Sequence, residues 1–156
     1  MPSPSWSKER AEAIIEAHRR REGAALPILH ALQEAFGYVP EDTVPLIAEA
    51  LNLTRAEVHG IVTFYHDFRH APPGRHVLKL CRAEACQSMG GDALAEAAQA
   101  RLQAGWGETT GDGSLTLEPV YCLGLCACAP AAMLDGKPVG RLDAKRLAAL
   151  VDGARR

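Results

Sequence analysis

Four of the five cysteines in this 156-residue chain occur as two short pairs. The first pair is Cys81 and Cys86, and the second pair is Cys122 and Cys126. Each pair follows a strand-like run, and the segment between the pairs is long enough for a helix and a strand. Two strand ends can therefore bring four thiolates together. Converging thiolates in a reducing compartment indicate a metal centre that holds either zinc or an iron–sulfur cluster.

The spacing of the cysteines favours a two-iron cluster but leaves zinc open as an alternative. Closed four-cysteine zinc sites accept short spacings and would serve to hold the domain together. The loops of both pairs here are longer than the two-residue turns that zinc commonly uses, so they can enclose two metal ions with bridging sulfides. Glycines beside the pairs would let backbone N–H groups approach the sulfur atoms and stabilise a cluster's negative charge; these are Gly90, Gly91 and Gly124.

The composition is that of an ordinary globular protein, with 47% hydrophobic and 23% charged residues. A formal charge of -2 gives no electrostatic reason to bind nucleic acid. The sequence has no apolar run of the roughly 18 residues that a membrane-spanning helix needs, so we expect no membrane insertion. The first residues lack the pattern of a secretory signal, so we expect a cytoplasmic protein whose cysteines stay reduced.

The chain before residue 71 is expected to be helical and to dock a partner. We predict a disordered tail over 1–6 and a helical bundle over 7–70, because apolar residues recur at helical spacing. Thr54 and Glu57 have the form of a capping box at the start of the fourth helix. The predicted apolar faces are Ala11, Ile14, Ile15 and His18; Ile28, Leu29, Leu32 and Phe36; Val44, Ile47, Ala48 and Leu51; and Val58, Ile61, Val62 and Tyr65.

A Pro-Pro-Gly run predicts a linker over 71–75 and a second domain over 76–156, since proline disfavours helix at and before its own position. The fold class that we expect is α+β, with the helical bundle followed by a small α/β domain that has a mixed sheet. The predicted elements are a strand over 76–80, a helix capped by Asp92, a strand over 115–118, a hairpin of 132–134 and 137–142 around Asp135-Gly136, and a helix capped by Asp143.

The cysteine segments resemble those of the thioredoxin-like [2Fe-2S] ferredoxin family, which includes the 24-kDa-type subunit of respiratory NADH dehydrogenase. The resemblance extends over residues 26–150 and includes the helical segment Val62–Tyr65. Three longer segments resemble the gamma subunits of soluble, molybdenum-containing, NAD-dependent formate dehydrogenases; they are Phe36–Pro40, Cys81–Ser88 and Tyr121–Cys128. The resemblance implies a thioredoxin-like second domain that holds one [2Fe-2S] cluster.

The family's four cluster ligands match the two pairs, which the resemblance therefore implies as the metal ligands: Cys81, Cys86, Cys122 and Cys126. The implied function is single-electron transfer, with no catalytic residue in this chain. The implied partners are an FMN- and NAD-binding flavoprotein subunit and a molybdenum-containing, formate-oxidising subunit. A diaphorase subunit of an NAD-linked hydrogenase or of an NADH:quinone oxidoreductase is the alternative, and a structural zinc module is a more remote one.

Three further expectations concern five residues outside the two cysteine pairs. Cys128 departs from the respiratory pattern, and we interpret it as a small buried thiol beside the cluster. Arg82 and Lys79 could offset the negative charge of the cluster, or they could be solvated strand-end residues. Phe64 and Tyr65 are expected to contribute to the docking surface of the helical bundle.

Overall fold

The computed structural model describes residues 6–155. The chain divides into two compact units, Met1–Pro72 and Pro73–Arg156, which we call the helical unit and the sheet unit. The predicted tail over 1–6 lies outside the described residues except for Trp6. The ring of Trp6 packs edge-on against Phe36 with 5.4 Å between centroids, so this residue contacts the core of the helical unit.

Between residues 6 and 72, the helical unit consists of four short helices that share one apolar core. Their buried side chains follow the predicted faces, because a helix that repeats apolar residues every three or four positions can bury one stripe. The helices are α1 (Lys8–His18), α2 (Ala25–Phe36), α3 (Thr43–Leu51) and α4 (Arg55–Phe64). The fully buried apolar side chains are Ala11, Ile28, Leu29, Leu32, Phe36, Ile47 and Val58.

Local signals set the ends of these helices. Gly37 ends α2 at a φ of 83°, a conformation that glycine adopts without strain. The capping box of α4 is present as predicted, since the Thr54 hydroxyl accepts from the Glu57 N–H at 3.1 Å and the Glu57 carboxylate accepts from the Thr54 N–H at 2.8 Å. The prediction that Tyr65 continues the buried face is wrong, because its backbone is extended and its side chain is 43% exposed.

The sheet unit contains a four-stranded mixed sheet with helices α5, α6 and α7. The strand order is β2-β1-β3-β4, with β1 and β2 parallel and the other neighbours antiparallel. This confirms the α+β class and the mixed sheet. The elements are β1 (His76–Cys81), α5 (Glu84–Ser88), α6 (Gly91–Leu102), β2 (Leu115–Val120), β3 (Ala132–Leu134), β4 (Lys137–Val139) and α7 (Ala144–Ala154).

The predicted hairpin turn and the cap of the last helix are confirmed. Asp135 and Gly136 both have positive φ, at 50° and 78°, as a two-residue hairpin turn requires. The second hairpin strand ends at Val139 rather than at residue 142. The Asp143 carboxylate accepts from the Arg146 N–H at 2.7 Å and so caps α7.

Two local predictions around α6 need correction. Asp92 does not cap this helix, because the residue at the N-cap is Gly90 with a φ of 88°. The Asp92 carboxylate instead pairs with Arg82 at 3.1 Å. Helix α5, which contains Cys86, was not predicted, since five residues are too few to show a helical period.

The large buried side chains of the sheet unit lie between the sheet and the helices α6 and α7. They include Leu78, Leu115, Leu117 and Val151, all of which are almost fully buried. None of the helices within residues 6–155 has the length and apolar content needed to cross a membrane.

Candidate metal centre

The first cysteine pair lies inside the sheet unit. Cys81 is the last residue of β1 and Cys86 lies in α5, and their exposed fractions are only 5% and 2%. The chain can turn tightly from α5 into α6 because position 91 is glycine. A Cβ atom at Gly91 would lie 2.5 Å from the Cys86 carbonyl oxygen, so a side chain there would displace the helix that carries the second thiol of this pair.

The second pair lies on an exposed loop after β2. Cys122 has a φ of 82° and Gly124 a φ of 74°, and this tight path lets the Gly124 N–H donate to the Cys122 Sγ atom at 3.4 Å. Cys126 begins a short 3₁₀ helix, Cys126–Cys128. The Sγ atoms of Cys122 and Cys126 are 3.6 Å apart, and both residues are exposed.

Backbone hydrogen bonds bring the two pairs to one place. The Cys81 thiol accepts from the backbone N–H groups of Ala83, Cys122 and Leu123, and it also accepts from the Cys86 thiol. Burial alone raises the pKa of Cys81, but these hydrogen bonds outweigh it and hold the pKa below the ordinary value. The fold therefore makes the thiolate of Cys81 easier to form than that of an ordinary cysteine, and the thiolate is the form that binds metal.

The thiols of Cys86 and Cys126 carry protons more firmly in the metal-free chain. The pKa of Cys86 is raised first by burial and then by the hydrogen bond that the Cys86 thiol donates to Cys81. The hydrogen bond from the Ala131 N–H lowers the pKa of Cys86 but does not outweigh these two causes. The pKa of Cys126 is raised chiefly by its hydrogen bond to the Cys122 thiol and then by the negative charge of that neighbour. A bound metal ion would reverse this balance, because coordination deprotonates a thiol.

The four thiols suit a two-metal thiolate site. Two thiolates on one tetrahedral ion with bonds of about 2.3 Å are separated by about 3.8 Å, close to the 3.6 Å within the second pair. The first pair is also in direct thiol–thiol contact. Among the side chains of residues 6–155, no group of three or more His, Cys, Asp or Glu is arranged around a single ion site. The donors come as two pairs of thiols in contact, and each pair could hold one iron of a cluster.

Arg82 and Lys79 do not present free positive charges to this centre. The Arg82 guanidinium pairs with Asp92 and lies 5.3 Å from the centroid of the Trp106 ring. Its Nε atom is buried and has no hydrogen-bond partner. Lys79 pairs with Glu118 at 3.4 Å, with both side chains mostly buried. The suggestion that these two residues offset a cluster's charge stays a prediction, and both residues already pair with acidic side chains.

Cys128 and Gly91 have packing roles near the pairs, whereas Gly124 donates a hydrogen bond to a thiol. Cys128 is half-buried, and a Cβ atom at Gly140 would lie 2.8 Å from its own Cβ, so the chain after β4 approaches it closely. Gly124 does bring an N–H to a sulfur atom as predicted, whereas Gly91 is needed for its contact with the Cys86 carbonyl.

Several of the backbone donors at the thiols could not be predicted from the sequence. The N–H groups of Ala83, Leu123 and Ala131 donate to thiols of the first pair. Their side chains carry no sign of this role, because any residue except proline supplies the same donor. A signal in the sequence was available only at Gly124.

Comparisons with known proteins agree on one family. The model of the family described as thioredoxin-like [2Fe-2S] ferredoxin matches residues 11–155. An NADH-quinone oxidoreductase subunit of Pseudomonas aeruginosa is 34% identical over 146 residues, which cover 92% of this chain and 88% of the relative. The HndA subunit of the NADP-reducing hydrogenase of Solidesulfovibrio fructosivorans is 32% identical over 142 residues, which cover 91% of this chain and 82% of the relative.

A solved structure supports the same grouping. The crystal structure of an NAD⁺-reducing [NiFe]-hydrogenase in the air-oxidized state matches with a TM-score of 0.68 and 30% identity. The match covers 81% of this chain but only 22% of the solved chain, so the present chain corresponds to a small part of that longer polypeptide.

Proposed function

Since this chain belongs to the thioredoxin-like [2Fe-2S] ferredoxin family, we propose that it is the electron-transfer subunit of a cytoplasmic, NAD-linked oxidoreductase complex. The chain carries one [2Fe-2S] cluster, as its family does. When bound, the cluster supplies one-electron redox chemistry. We assign no bond-making catalytic residue to this chain.

The first and second cysteine pairs are our proposed ligands: Cys81, Cys86, Cys122 and Cys126. The single observation that supports this assignment is the hydrogen bonding of the Cys81 thiol to the backbone of Cys122 and Leu123, because it links the first pair to the loop that carries the second pair. The 3.6 Å separation within the second pair supports it further. A reducing cytoplasm would keep these thiols available for metal.

The residues around the ligands would stabilise the thiolates and exclude water from one side. The N–H groups of Ala83, Leu123 and Gly124 point at sulfur atoms and favour negative charge there. Ala131 is buried against the first pair, with Ala129 beside it. Hydrogen bonding and limited solvent access are two of the means by which a protein sets the potential of such a group.

A flavin on a partner subunit would connect this chain to NAD. NAD exchanges a hydride, whereas an iron–sulfur centre exchanges single electrons, so a flavin must stand between them. We propose that the partner is an FMN- and NAD-binding flavoprotein subunit. The names of the relatives, which include an NADH-quinone oxidoreductase subunit and an NADP-reducing hydrogenase subunit, support this choice.

For the complex as a whole we propose a formate dehydrogenase with a molybdenum-containing, formate-oxidising subunit. The support is the resemblance of the segments Phe36–Pro40, Cys81–Ser88 and Tyr121–Cys128 to the gamma subunits of such enzymes. The alternative is the equivalent diaphorase subunit of an NAD-linked hydrogenase or an NADH:quinone oxidoreductase, and the names of the relatives are of these two kinds.

The helical unit is our proposed docking region for the complex. Phe64 and Tyr65 end α4 with exposed fractions of 72% and 43%, and their rings contact each other edge-to-face at 5.1 Å. Exposed aromatic side chains are enriched at protein interfaces. Alanine at both positions should reduce the yield of co-purified partner subunits, and unchanged yield would contradict this part of the proposal.

Purification of the native complex tests the function. The chain should co-purify with a flavoprotein, and NADH should reduce the complex and produce the electron paramagnetic resonance (EPR) signal of a [2Fe-2S] centre. Reduction by formate would support the formate dehydrogenase, whereas reduction by hydrogen would support the hydrogenase alternative. An NADH-reduced complex without any such signal from this chain would contradict the electron-transfer role.

A further inference from the structure

A positively charged residue lies one position from a proposed cluster ligand. Arg82 directly follows Cys81, the last residue of β1. The Arg82 backbone N–H donates to the Val120 carbonyl at 2.8 Å, and the Arg82 carbonyl accepts from the Gln87 side chain at 2.7 Å. The main chain of Arg82 is thus tied to β2 and to α5, the helix that contains Cys86. These bonds hold the base of the charged side chain beside the first pair.

The Arg82 side chain keeps its charge in a mostly buried position. The side chain is 29% exposed, and its Nε atom is buried without a hydrogen-bond partner. A buried donor that lacks an acceptor costs free energy, and a guanidinium group does not lose its proton to avoid that cost. The Trp106 ring, 5.3 Å from the guanidinium carbon, favours the charge but leaves the Nε N–H unsatisfied. The metal-free chain therefore holds this cation at a cost.

The acidic partner of Arg82 is more open to solvent than Arg82 itself. The Asp92 side chain is 54% exposed, against 29% for Arg82. Water and salt screen an exposed charge more strongly than a buried one. Asp92 follows Gly91, which contacts the Cys86 carbonyl closely, so both members of the pair lie near the first cysteine pair. Their charges are unequally screened there, and the positive charge should have the larger effect.

We propose that the Arg82–Asp92 pair tunes the reduction potential of the cluster, with Arg82 raising the potential and Asp92 lowering it. The inference rests on the proposed function and adds to it the residues that adjust the carrier. Four thiolates and two sulfides outweigh two ferric ions in charge, and one-electron reduction adds a further negative charge. A nearby cation therefore favours the reduced form, and a nearby anion opposes it. The same attraction would offset the cost of the buried guanidinium.

The first experiment measures the reduction potential of the full, cluster-loaded chain by a redox titration that is followed by EPR. Arg82→Met keeps an unbranched side chain but removes the charge. It should lower the reduced-to-oxidised ratio at a fixed potential by tenfold, which is a shift of about 59 mV for one electron. Asp92→Asn should raise the potential by a smaller amount, because the Asp92 charge is more screened. Arg82→Lys retains the charge and should keep a potential close to that of wild type.

The signs of these shifts separate tuning from packing. If Arg82 and Asp92 only held α6 against β1, loss of either side chain would break the same contact, and the two shifts would have the same sign. Shifts of the same sign would therefore overturn the proposal, as would a wild-type potential in Arg82→Met. Arg82→Gln should act as Arg82→Met does, and it replaces that variant if the latter takes up no iron.

A matched control is an Arg–Asp pair farther along the same helix. Arg101 on α6 donates to the Asp152 carboxylate at 2.7 Å, and it lies about 14 Å beyond Asp92 along the helix axis. Charges separated by more than the Debye length of about 8 Å are largely screened at physiological salt. Arg101→Met and Asp152→Asn should leave the potential unchanged. Shifts as large as those of the Arg82 and Asp92 variants would indicate an effect of net charge alone and would overturn the proposal.

The second experiment is urea unfolding of the metal-free variants. Arg82→Met should unfold at a urea midpoint close to that of wild type, because it removes an unsatisfied donor together with the contact to Asp92. A lower midpoint combined with a wild-type potential would overturn the proposal in favour of a packing role. Failure of the proposed function is distinguishable, because the wild-type chain would then give no [2Fe-2S] EPR signal. Failure of this inference alone would leave that signal intact.

Discussion

The two cysteine pairs sit in one unit but are held in different ways. The thiols of the first pair are buried, contact each other and accept backbone N–H groups from three separate segments of the chain. The second pair lies on an exposed loop whose conformation depends on positive φ at Cys122 and Gly124. Tertiary packing therefore positions the first pair, whereas local backbone geometry positions the exposed second pair.

The largest loss of unfolding free energy should come from adding a side chain at Gly91, beside the first pair. Gly91→Ala would place a Cβ atom 2.5 Å from the Cys86 carbonyl oxygen, so α5 or α6 must shift, and we expect a loss of about 3 kcal/mol in unfolding free energy. Urea unfolding followed by circular dichroism measures the loss. The matched control is Gly153→Ala in α7, where nothing lies within 4 Å; it should be neutral or stabilise by up to about 1 kcal/mol. Equal effects of the two changes would contradict the close packing.

The second-largest effect should be a difference in unfolding free energy between two variants, each of which lacks one thiol of a different pair. In the metal-free chain, Cys81→Ala leaves three backbone N–H groups without their acceptor, and we expect a loss of about 2 kcal/mol. Cys126→Ala removes an exposed thiol and should change the unfolding free energy by no more than about 0.5 kcal/mol. Urea titrations of the metal-free variants give both values. A larger loss of unfolding free energy for Cys126→Ala than for Cys81→Ala would contradict the view that packing holds the first pair more firmly than the second.

A smaller effect is expected at the turn of the second pair. Gly124 has a φ of 74°, so Gly124→Ala should cost about 1 kcal/mol of backbone strain. It should also shift the reduction potential, because the N–H that donates to Cys122 would move. Protein-film voltammetry and urea unfolding measure the two effects. Gly111→Ala, in open space and without positive φ, serves as the control and should leave both quantities unchanged.

The smallest effect is a difference between two metal-free variants in how their unfolding free energy depends on pH. Cys81 has a pKa below the ordinary value of 9.0, so it adds stability as pH rises toward that value; Cys86 has a raised pKa, so its contribution is lost as pH rises. Cys81→Ser should therefore lose stability between about pH 7.5 and 9.5, and Cys86→Ser should gain it. Cys126 is present in both variants, and its raised pKa comes chiefly from Cys122 and only to a lesser extent from the charge of Cys81, so it should change the difference little. Parallel pH curves would contradict the assigned directions.

Features that depend on neighbouring residues in the sequence were predicted well. The capping box of Thr54 and Glu57 and the cap at Asp143 are formed within one helical turn, so the residues themselves specify them. The hairpin at Asp135 and Gly136 is equally local. These signals were sufficient to locate the four helices before residue 71 and most elements of the sheet unit.

Features that depend on distant contacts were not predicted. Asp92 looked like a helix cap, but its carboxylate pairs with Arg82, which lies beside it only in the folded chain. The apolar stripe of α4 gave no sign that the helix ends at Phe64 and leaves Tyr65 exposed. Within the candidate site, spacing indicated that two pairs meet, but the N–H donors at the thiols belong to backbone and leave no trace in the sequence. The burial of one pair and exposure of the other also follow from tertiary packing.

The central claim is that two cysteine pairs hold one two-iron cluster, and its most direct test is quantitative EPR of the purified chain after dithionite reduction. Iron and zinc are measured on the same sample. If the four cysteines hold a two-iron cluster, a spin-half signal should integrate to one spin for every two irons, with little zinc. Stoichiometric zinc without a signal would contradict it and leave a structural zinc module in place of an electron carrier.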